Sequence, residues 1–98
     1  MARNNSIIFE WSPRFERAFK KLPREVKFLF GDKIVQFEDD WQHPSFRAKR
    51  IQGTDNIWEA SLNMSIRFTF EWITDDKGEQ VCLMRNIGDH DHCFKPPF

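Results

Sequence analysis

The sequence predicts an α+β domain in which an N-terminal helical hairpin packs on one face of an antiparallel sheet, in the order β-α-α-β-β-β-β. Apolar residues between Pro13 and Trp41 recur at the three- and four-residue spacing of amphipathic helices. From Arg47 onward the apolar period changes to two, which is typical of strands. The turns in this second part are short, and short turns join antiparallel neighbours.

The first half of the chain predicts one strand followed by two helices. Ile7–Trp11 is short, apolar and rich in strand-forming residues. Ser12 and Pro13 are typical of the N-cap and the first position of a helix. The apolar stripe of this helix consists of Phe15, Ala18, Phe19 and Leu22. Pro23 cannot continue it but can open a second helix, whose stripe begins at Val26 and which ends near Asp40 or Trp41.

The second half predicts four strands joined by tight turns. The predicted strands are Ala48–Ile51, Ile57–Leu62, Ile66–Ile73 and Gln80–Ile87. Their apolar side chains must pack on the helices. The opposite side, which we call the open face, carries Glu59, Ser61, Arg67, Thr69 and Glu71. If Leu62 pairs with Ile66, then Ser61 lies opposite Arg67 and Glu59 opposite Thr69, so that Glu59 and Arg67 are diagonal neighbours.

The face on which Arg85 lies depends on the last turn. A two- or four-residue turn at Asp75–Gly78 would direct Arg85 toward the helices, where a buried guanidinium is costly. A bulge at Gly78 would shift the register by one residue and place Arg85 beside Arg67 on the open face. We therefore predict the bulge.

The composition indicates one small domain, residues 1–98, with no net charge. The chain has 15 basic and 15 acidic side chains. Residues 1–50 contain 11 Lys or Arg and 7 Asp or Glu, whereas residues 51–98 contain 4 and 8. The basic half could face a polyanion, or it could be an ordinary solvated helix surface.

Membrane, secreted and metal-binding classes receive no support. The chain lacks a run of about 18 apolar residues, and Met1–Ser6 is polar and lacks the apolar core of a signal peptide. We therefore expect a cytoplasmic protein, with Cys82 and Cys93 as reduced thiols. The spacing His90-x-His92-Cys93 fits no closed zinc template, and we predict neither a metal nor a cofactor.

Ionisable side chains cluster after Gly88, which ends the last predicted strand. The segment reads Asp89-His90-Asp91-His92-Cys93-Phe94-Lys95. Together with Arg67 and Lys49-Arg50 it offers cations, imidazoles and an aromatic ring. A guanidinium binds phosphate oxygens and stabilises transition-state charge, an imidazole transfers protons near neutral pH, and a ring stacks an unpaired base. RNA cleavage requires these components.

Four segments in this order resemble the RelE/ParE superfamily, the toxins of bacterial type II toxin–antitoxin systems. They are Lys49-Arg50-Ile51-x-Gly53, Ile57–Leu62, Ile66–Phe70 and Arg85–Asp91. The resemblance covers nearly the whole chain. It implies a RelE-like fold and an antitoxin that wraps around the toxin. For the RelE and YafQ branches it also implies a ribosome-dependent, metal-independent mRNA endoribonuclease.

The resemblance also implies roles for individual residues. Arg67 is similar to the strand arginine that contacts the scissile phosphate. His90 is similar to the histidine of the closing segment in YafQ-like members, and Phe94 stands where that branch has an aromatic residue. Lys49 and Arg50 resemble the basic residues of the second strand. We predict Arg67, His90 and Arg85 as catalytic residues, and Lys49, Arg50, Glu59, Asp91 and Phe94 as substrate-binding residues.

His90 and His92 need to be told apart, because in an extended segment residues two apart point the same way. Gly88 allows the chain to bend sharply. We expect His90 to swing back over Arg67 and His92 to reach solvent.

Two classes of function follow. The first is an mRNA endoribonuclease that attacks through the substrate's own 2′-hydroxyl, with an antitoxin, mRNA and the ribosome as partners. The second is a ParE-like, non-enzymatic toxin that inhibits DNA gyrase, or a catalytically inactive family member. The histidine-bearing tail favours the first. The second is favoured by the zero net charge, by the absence of Tyr, and by Ser61 and Ser65, where YafQ-like toxins carry a histidine and an aspartate.

Overall fold

Five strands form one sheet, with the N-terminal helices packed on one of its faces. The computed structural model describes residues 7–98, so the polar segment Met1–Ser6 lies outside it. The strands are Ile8–Trp11 (β1), Lys49–Arg50 (β2), Ile57–Ser61 (β3), Ile66–Thr74 (β4) and Gln80–Asp89 (β5). The helices are Pro13–Lys20 (α1), Arg24–Asp39 (α2) and His90–Cys93 (α3), with a 3₁₀ helix at Pro44–Phe46. This confirms the predicted α+β class, and α3 adds an element that we did not predict.

The spatial order of the strands is β1-β5-β4-β3-β2. The pairs β2–β3, β3–β4 and β4–β5 are antiparallel, as predicted. Strand β1 is parallel to β5, with Ile8 opposite Val81 and Trp11 opposite Met84. Parallel neighbours need a long connection between them. Here that connection consists of the helices and the rest of the sheet.

Ser12 ends β1 and starts α1, as its position before Pro13 predicts. Its Oγ accepts a hydrogen bond from Phe15 N at 3.0 Å, which satisfies one of the free N–H groups of the first turn. The same hydroxyl donates to Arg85 O at 3.0 Å. Ser12 therefore ties the start of the helical hairpin to the middle of β5.

The core between helices and sheet is largely aromatic. Phe15, Phe37, Phe68 and Phe70 are at most 1% exposed. The rings of Phe37 and Phe70 meet edge to face at 5.1 Å between centroids, a favoured geometry for aromatic pairs. Trp58 and Trp72 are half-buried against Trp41, with centroids 5.1 and 5.3 Å away. Phe68 and Phe70 fix the opposite face of β4 as the open face.

The predicted register of β3 and β4 is confirmed. Leu62 N donates to Ile66 O at 2.8 Å across the turn. Ser61 lies opposite Arg67 and Glu59 opposite Thr69. Glu59 also lies opposite Lys49 of β2, so the carboxyl group has a cationic residue on either side in the sheet.

The predicted bulge at Gly78 is confirmed, and β5 has a second bulge at Arg85 that we did not predict. Thr69 lies opposite Asn86 and Phe70 opposite Met84, so Arg85 is the extra residue. Gly78 has a φ of 78° and belongs to a turn that is closed by Asp75 Oδ1, which accepts from the N–H groups of Lys77 and Glu79. Asp75 N also donates to Glu79 O at 2.9 Å, so the turn shifts the register by one residue, and Arg85 then shifts it again.

Within residues 7–98, no helix has the length and apolar character that crossing a bilayer requires.

Candidate active site on the open face

The helical turn α3 folds back over the open face. Asp89 caps it, because its Oδ1 accepts a hydrogen bond from His92 N at 2.8 Å. The turn packs on β4 and β5, and Cys93 Sγ lies 3.3 Å from Arg67 O. The expected extended tail is therefore a helix at this point. Residues two apart in a helix point to nearly opposite sides, which separates His90 from His92.

The structure gives the two histidines different environments. The side chain of His90 is 71% exposed, and its ring packs on Phe94 with 4.4 Å between centroids. The ring of His92 lies against Gly88, where an added Cβ would be 2.6 Å from His92 Cδ2. His92 Nε2 is 2.9 Å from Asn86 Oδ1. His92 is exposed overall, as expected, but its ring also contacts Gly88 and Asn86 and so holds α3 on β5.

Glu59 is the centre of a charged cluster on the open face. Burial raises the pKa of its carboxyl group above the ordinary value of 4.5. The charges of Lys49, His90 and Arg67, in that order of size, act in the opposite direction. Lys49 lies directly opposite Glu59 in the sheet, and Arg67 is the diagonal neighbour of Glu59 across β3 and β4. The effect of His90 indicates that α3 also lies near the carboxyl. Four of the predicted site residues are therefore together.

One nitrogen of the Arg67 guanidinium is hydrogen-bonded to the neighbouring turn, and the other two are available to a ligand. Its Nη1 donates to Asn63 O at 2.8 Å and to Met64 O at 3.2 Å, which fixes the turn between β3 and β4. Among residues 7–98, Nε and Nη2 of Arg67 have no hydrogen-bond partner. A guanidinium held by one nitrogen and free at the others can bind two oxygens of a phosphate.

Arg85 reaches the open face, as predicted, where it contacts Glu71, but it does not lie beside Arg67. Its Nη1 is 2.9 Å from Glu71 Oε1, while Nε and Nη2 donate to Phe98 O at 3.1 and 2.7 Å. Gly88, not Arg85, lies opposite Arg67. Arg14 Nη1 donates to Pro97 O in the same way. Both arginines therefore hold the backbone of residues 97 and 98 and do not contribute free cations to the site.

No protein-family model matches the sequence, and no curated protein matches it either. Solved structures do match. YafQ from E. coli strain BL21(DE3) superposes with a TM-score of 0.69 at 12% identity, over 89% of this chain and 97% of that one. A YoeB/ParE toxin from Agrobacterium tumefaciens gives 0.68 at 10% identity, over 85% and 98%. The E. coli RelBE toxin–antitoxin complex gives 0.62 at 16% identity, over 84% and 94%.

The chain has the RelE-like toxin fold. The predicted resemblance is confirmed at the level of structure, because the match extends over nearly the full length of each toxin. One of the similar structures with this fold is a complex of YafQ with the antitoxin DinJ, and another contains RelE with RelB.

Two predicted substrate-binding residues lie at the margin of the charged cluster around Glu59 or beyond it. Arg50 lies opposite Trp58 and so shares the helix-facing side of the sheet. It is separated from Lys49 because consecutive strand residues point to opposite faces. The side chain of Asp91 is 96% exposed, with Oδ1 3.7 Å from His90 Nδ1. Arg50 is therefore removed from the site, and Asp91 remains at its rim.

Sequence reasoning missed the buried polar support beneath α3. Thr69 and Asn86 lie opposite each other on the open face and are 0% and 1% exposed. Asn86 Nδ2 donates to His92 O at 3.3 Å, and its Oδ1 accepts from Ile87 N at 2.9 Å. The signal that could have revealed α3 is Asp89 after Gly88, since Asp is a preferred N-cap residue.

In the part of the RelE-like fold that the structure describes, no three His, Cys, Asp or Glu side chains are arranged to hold a metal ion. Cys93 lies beside the site, but burial raises the pKa of its thiol to about 12, and the charge of Asp89 acts in the same direction. A thiol of this kind is a poor nucleophile and a poor metal ligand at neutral pH.

Proposed function

We propose that this protein is the toxin of a type II toxin–antitoxin system and a metal-independent endoribonuclease that cleaves mRNA on the ribosome. One observation carries the proposal. A half-buried carboxyl and a guanidinium with two nitrogens unpaired among residues 7–98 are diagonal neighbours on the open face, at Glu59 and Arg67, and the exposed imidazole of His90 acts on the same carboxyl. The RelE-like fold and the YafQ and RelE structures support it.

The proposed chemistry is an attack by the substrate's 2′-hydroxyl oxygen on the adjacent phosphorus. The 2′-O–P bond forms and the P–O5′ bond breaks, which leaves a 2′,3′-cyclic phosphate and a 5′-hydroxyl. Glu59 accepts the proton of the 2′-hydroxyl, and His90 donates a proton to the departing 5′-oxygen. Arg67 binds the phosphate oxygens and stabilises the added negative charge of the transition state. Lys49 adds positive potential, and Phe94 stacks a base.

The test measures cleavage of mRNA on programmed ribosomes by primer extension, under single-turnover conditions. We expect Arg67→Ala to lower the rate by about 10²–10³, the range for loss of one transition-state donor. His90→Ala is expected to lower it by about 10²–10⁴, as for other general acids. Arg50→Ala is the matched control, because it removes the same kind of cation from the other face of the sheet.

Circular dichroism must first establish that each variant is folded. Intact mRNA with the unmodified protein would contradict the proposal. Cleavage at the unmodified rate by a folded Arg67→Ala variant would remove Arg67 from the mechanism.

A second candidate is a non-enzymatic, ParE-like toxin that binds DNA gyrase. It is favoured by the zero net charge and by the engagement of Arg14 and Arg85 with backbone oxygens of the tail, which leaves few cations for RNA. Inhibition of gyrase supercoiling with no cleavage of mRNA would select this candidate.

A further inference from the structure

A second concave surface lies on the far side of the turn that Arg67 holds. It has a volume of about 300 Å³ and lies between α2, the 3₁₀ helix and the turn at residues 63–65. Its apolar lining is aliphatic and comes from Leu29, Leu62 and Met64. Lys33 and Arg47 supply two cations, and Ser45 and Ser61 supply hydroxyls. Among the described residues that line it, none is acidic.

Arg47 has an unusual backbone conformation. Its φ of 50° and ψ of 40° lie in the left-handed region, which side chains with a Cβ rarely adopt. The conformation ends the 3₁₀ helix, with Arg47 N donating to Pro44 O at 3.1 Å, and it separates the buried Phe46 from the exposed Arg47. Glycine would adopt it with less strain. What arginine provides at this position is therefore its cationic side chain.

The pocket and the proposed catalytic site share one structural element. Arg67 Nη1 donates to the backbone oxygens of Asn63 and Met64, and Ser61, which lines the pocket, lies opposite Arg67 in the sheet. Met64 is 84% exposed, so this fixed turn presents a large apolar side chain at the mouth of the pocket. The turn that Arg67 holds is therefore also one wall of the pocket.

We infer that this pocket binds one nucleotide of single-stranded RNA, as an anchor for the strand next to the cleavage position. The phosphate contacts Lys33 and Arg47, and the base or ribose lies against Leu29, Leu62 and Met64. Two cations and two hydroxyls can serve several oxygens of a phosphate, which favours a nucleotide over an acidic peptide. The identity of the strand as the cleaved mRNA rests on the proposed function, whereas the nucleotide chemistry of the pocket does not.

The pocket can be tested without any cleavage, by NMR of the methyl groups of Leu29, Leu62 and Met64 in the full chain. We expect adenosine monophosphate to shift these signals saturably and adenosine to shift them much less. Arg47→Gly should weaken binding by about tenfold or more, since a charge-assisted hydrogen bond is lost, and it suits the left-handed backbone. Lys77→Gln, in the exposed turn before β5, is the matched control and should bind normally.

Absence of a shift with adenosine monophosphate would overturn the inference. So would tighter binding of an acidic peptide, such as acetyl-Glu-Leu amide, than of the nucleotide. The inference would also be overturned if a folded Arg47→Gly variant bound adenosine monophosphate as tightly as the unmodified protein.

A cleavage assay separates this inference from the proposed function. With Lys33→Gln and Arg47→Gly we expect a higher KM and an unchanged kcat, and binding of single-stranded RNA should depend less on salt, by about 0.7 in the logarithmic slope per lost contact. If the unmodified protein binds the nucleotide but cleaves no mRNA, the proposed function fails and the pocket stands. If the protein cleaves mRNA but the nucleotide leaves the methyl signals unchanged, nucleotide binding in the pocket is contradicted and the proposed function is supported.

Discussion

At the scale of single residues, two opposing effects set the pKa of Glu59: burial of its carboxyl group and nearby positive charge. Burial disfavours a carboxylate and adjacent cations favour it. The first effect is the larger here, because the pKa of Glu59 is raised despite Lys49, His90 and Arg67. The folded protein therefore binds the Glu59 proton more tightly than the unfolded chain does. The stability gained from this proton is present below the ordinary pKa of 4.5 and is lost as the pH rises through the folded value.

Glu59→Gln should accordingly stabilise the protein more at neutral pH than in acid. Glutamine resembles the protonated carboxyl and has no charge to desolvate, so the variant should exceed the unmodified protein in free energy of unfolding near pH 7. The difference should shrink toward zero near pH 4. Urea unfolding at both pH values measures it. An equal difference at the two pH values, or a loss of stability near pH 7, would contradict this account of the pKa.

The same residues indicate how far the sequence predicts the site. Glu59 and Arg67 could be placed because apolar alternation and one short turn fix the register of β3 and β4. The face on which Arg85 lies could be predicted from the turn at Gly78, but its position along β5 relative to Arg67 could not. The bulge that positions it depends on a contact between Ser12 and Arg85 O, two residues far apart in sequence. Its partner Phe98 O is likewise a tertiary contact without a local signal.

At the scale of elements, α3 is a short segment held by few contacts. A single turn of helix has too few residues for apolar periodicity to reveal it, which is why the tail was expected to be extended. Its attachment to β5 depends on the cap at Asp89, the pair of His92 and Asn86, and the close approach of His92 to Gly88. Because α3 carries His90 to Glu59, we expect the order of α3 to control the site.

Alkylation of Cys93 measures the opening of α3. Its thiol is buried with a pKa of about 12, so iodoacetamide near pH 8 should react only when α3 lifts from the sheet. Gly88→Ala places a Cβ against the His92 ring, and His92→Ala removes the bond to Asn86. Each substitution should accelerate labelling of Cys93 by about tenfold, which corresponds to a loss of about 1.4 kcal/mol in the free energy of opening α3.

Two controls belong to this measurement. Cys82 lies in the aromatic core, where burial raises its pKa, and its labelling should stay slow in both variants. Gly31→Ala, at a helical position where no atom beyond its chain neighbours and its own helical backbone lies within 4 Å of the added Cβ, should leave both cysteines as protected as before. Faster labelling of Cys82 together with Cys93 would mean global unfolding and would contradict a local opening.

At the scale of the whole molecule, the net charge is zero, but the charged side chains are unevenly distributed. The N-terminal half has an excess of basic residues and the C-terminal half an excess of acidic ones. Arg14 and Arg85 hold backbone oxygens of residues 97 and 98. Lys49 and Arg67 surround Glu59, while Lys33 and Arg47 line a pocket without acidic residues among those described. A molecule with no net charge thus keeps local positive potential at two neighbouring places.

The last prediction concerns Phe68, which links the helices to the sheet beneath the site. It is 1% exposed, and its ring lies 5.6 Å from that of Phe37 and 6.2 Å from that of Phe30. Phe68→Ala would leave a cavity among rings that cannot all move to fill it, and such changes cost about 3–5 kcal/mol. A domain of this size has about 5–15 kcal/mol in total, so urea unfolding should show a much lower midpoint with an unchanged slope. Phe28→Ala is the matched control, because that side chain is 64% exposed and its removal should change stability by about 0.5 kcal/mol or less. Similar midpoints for the two variants would mean that the aromatic core does not hold the open face in place.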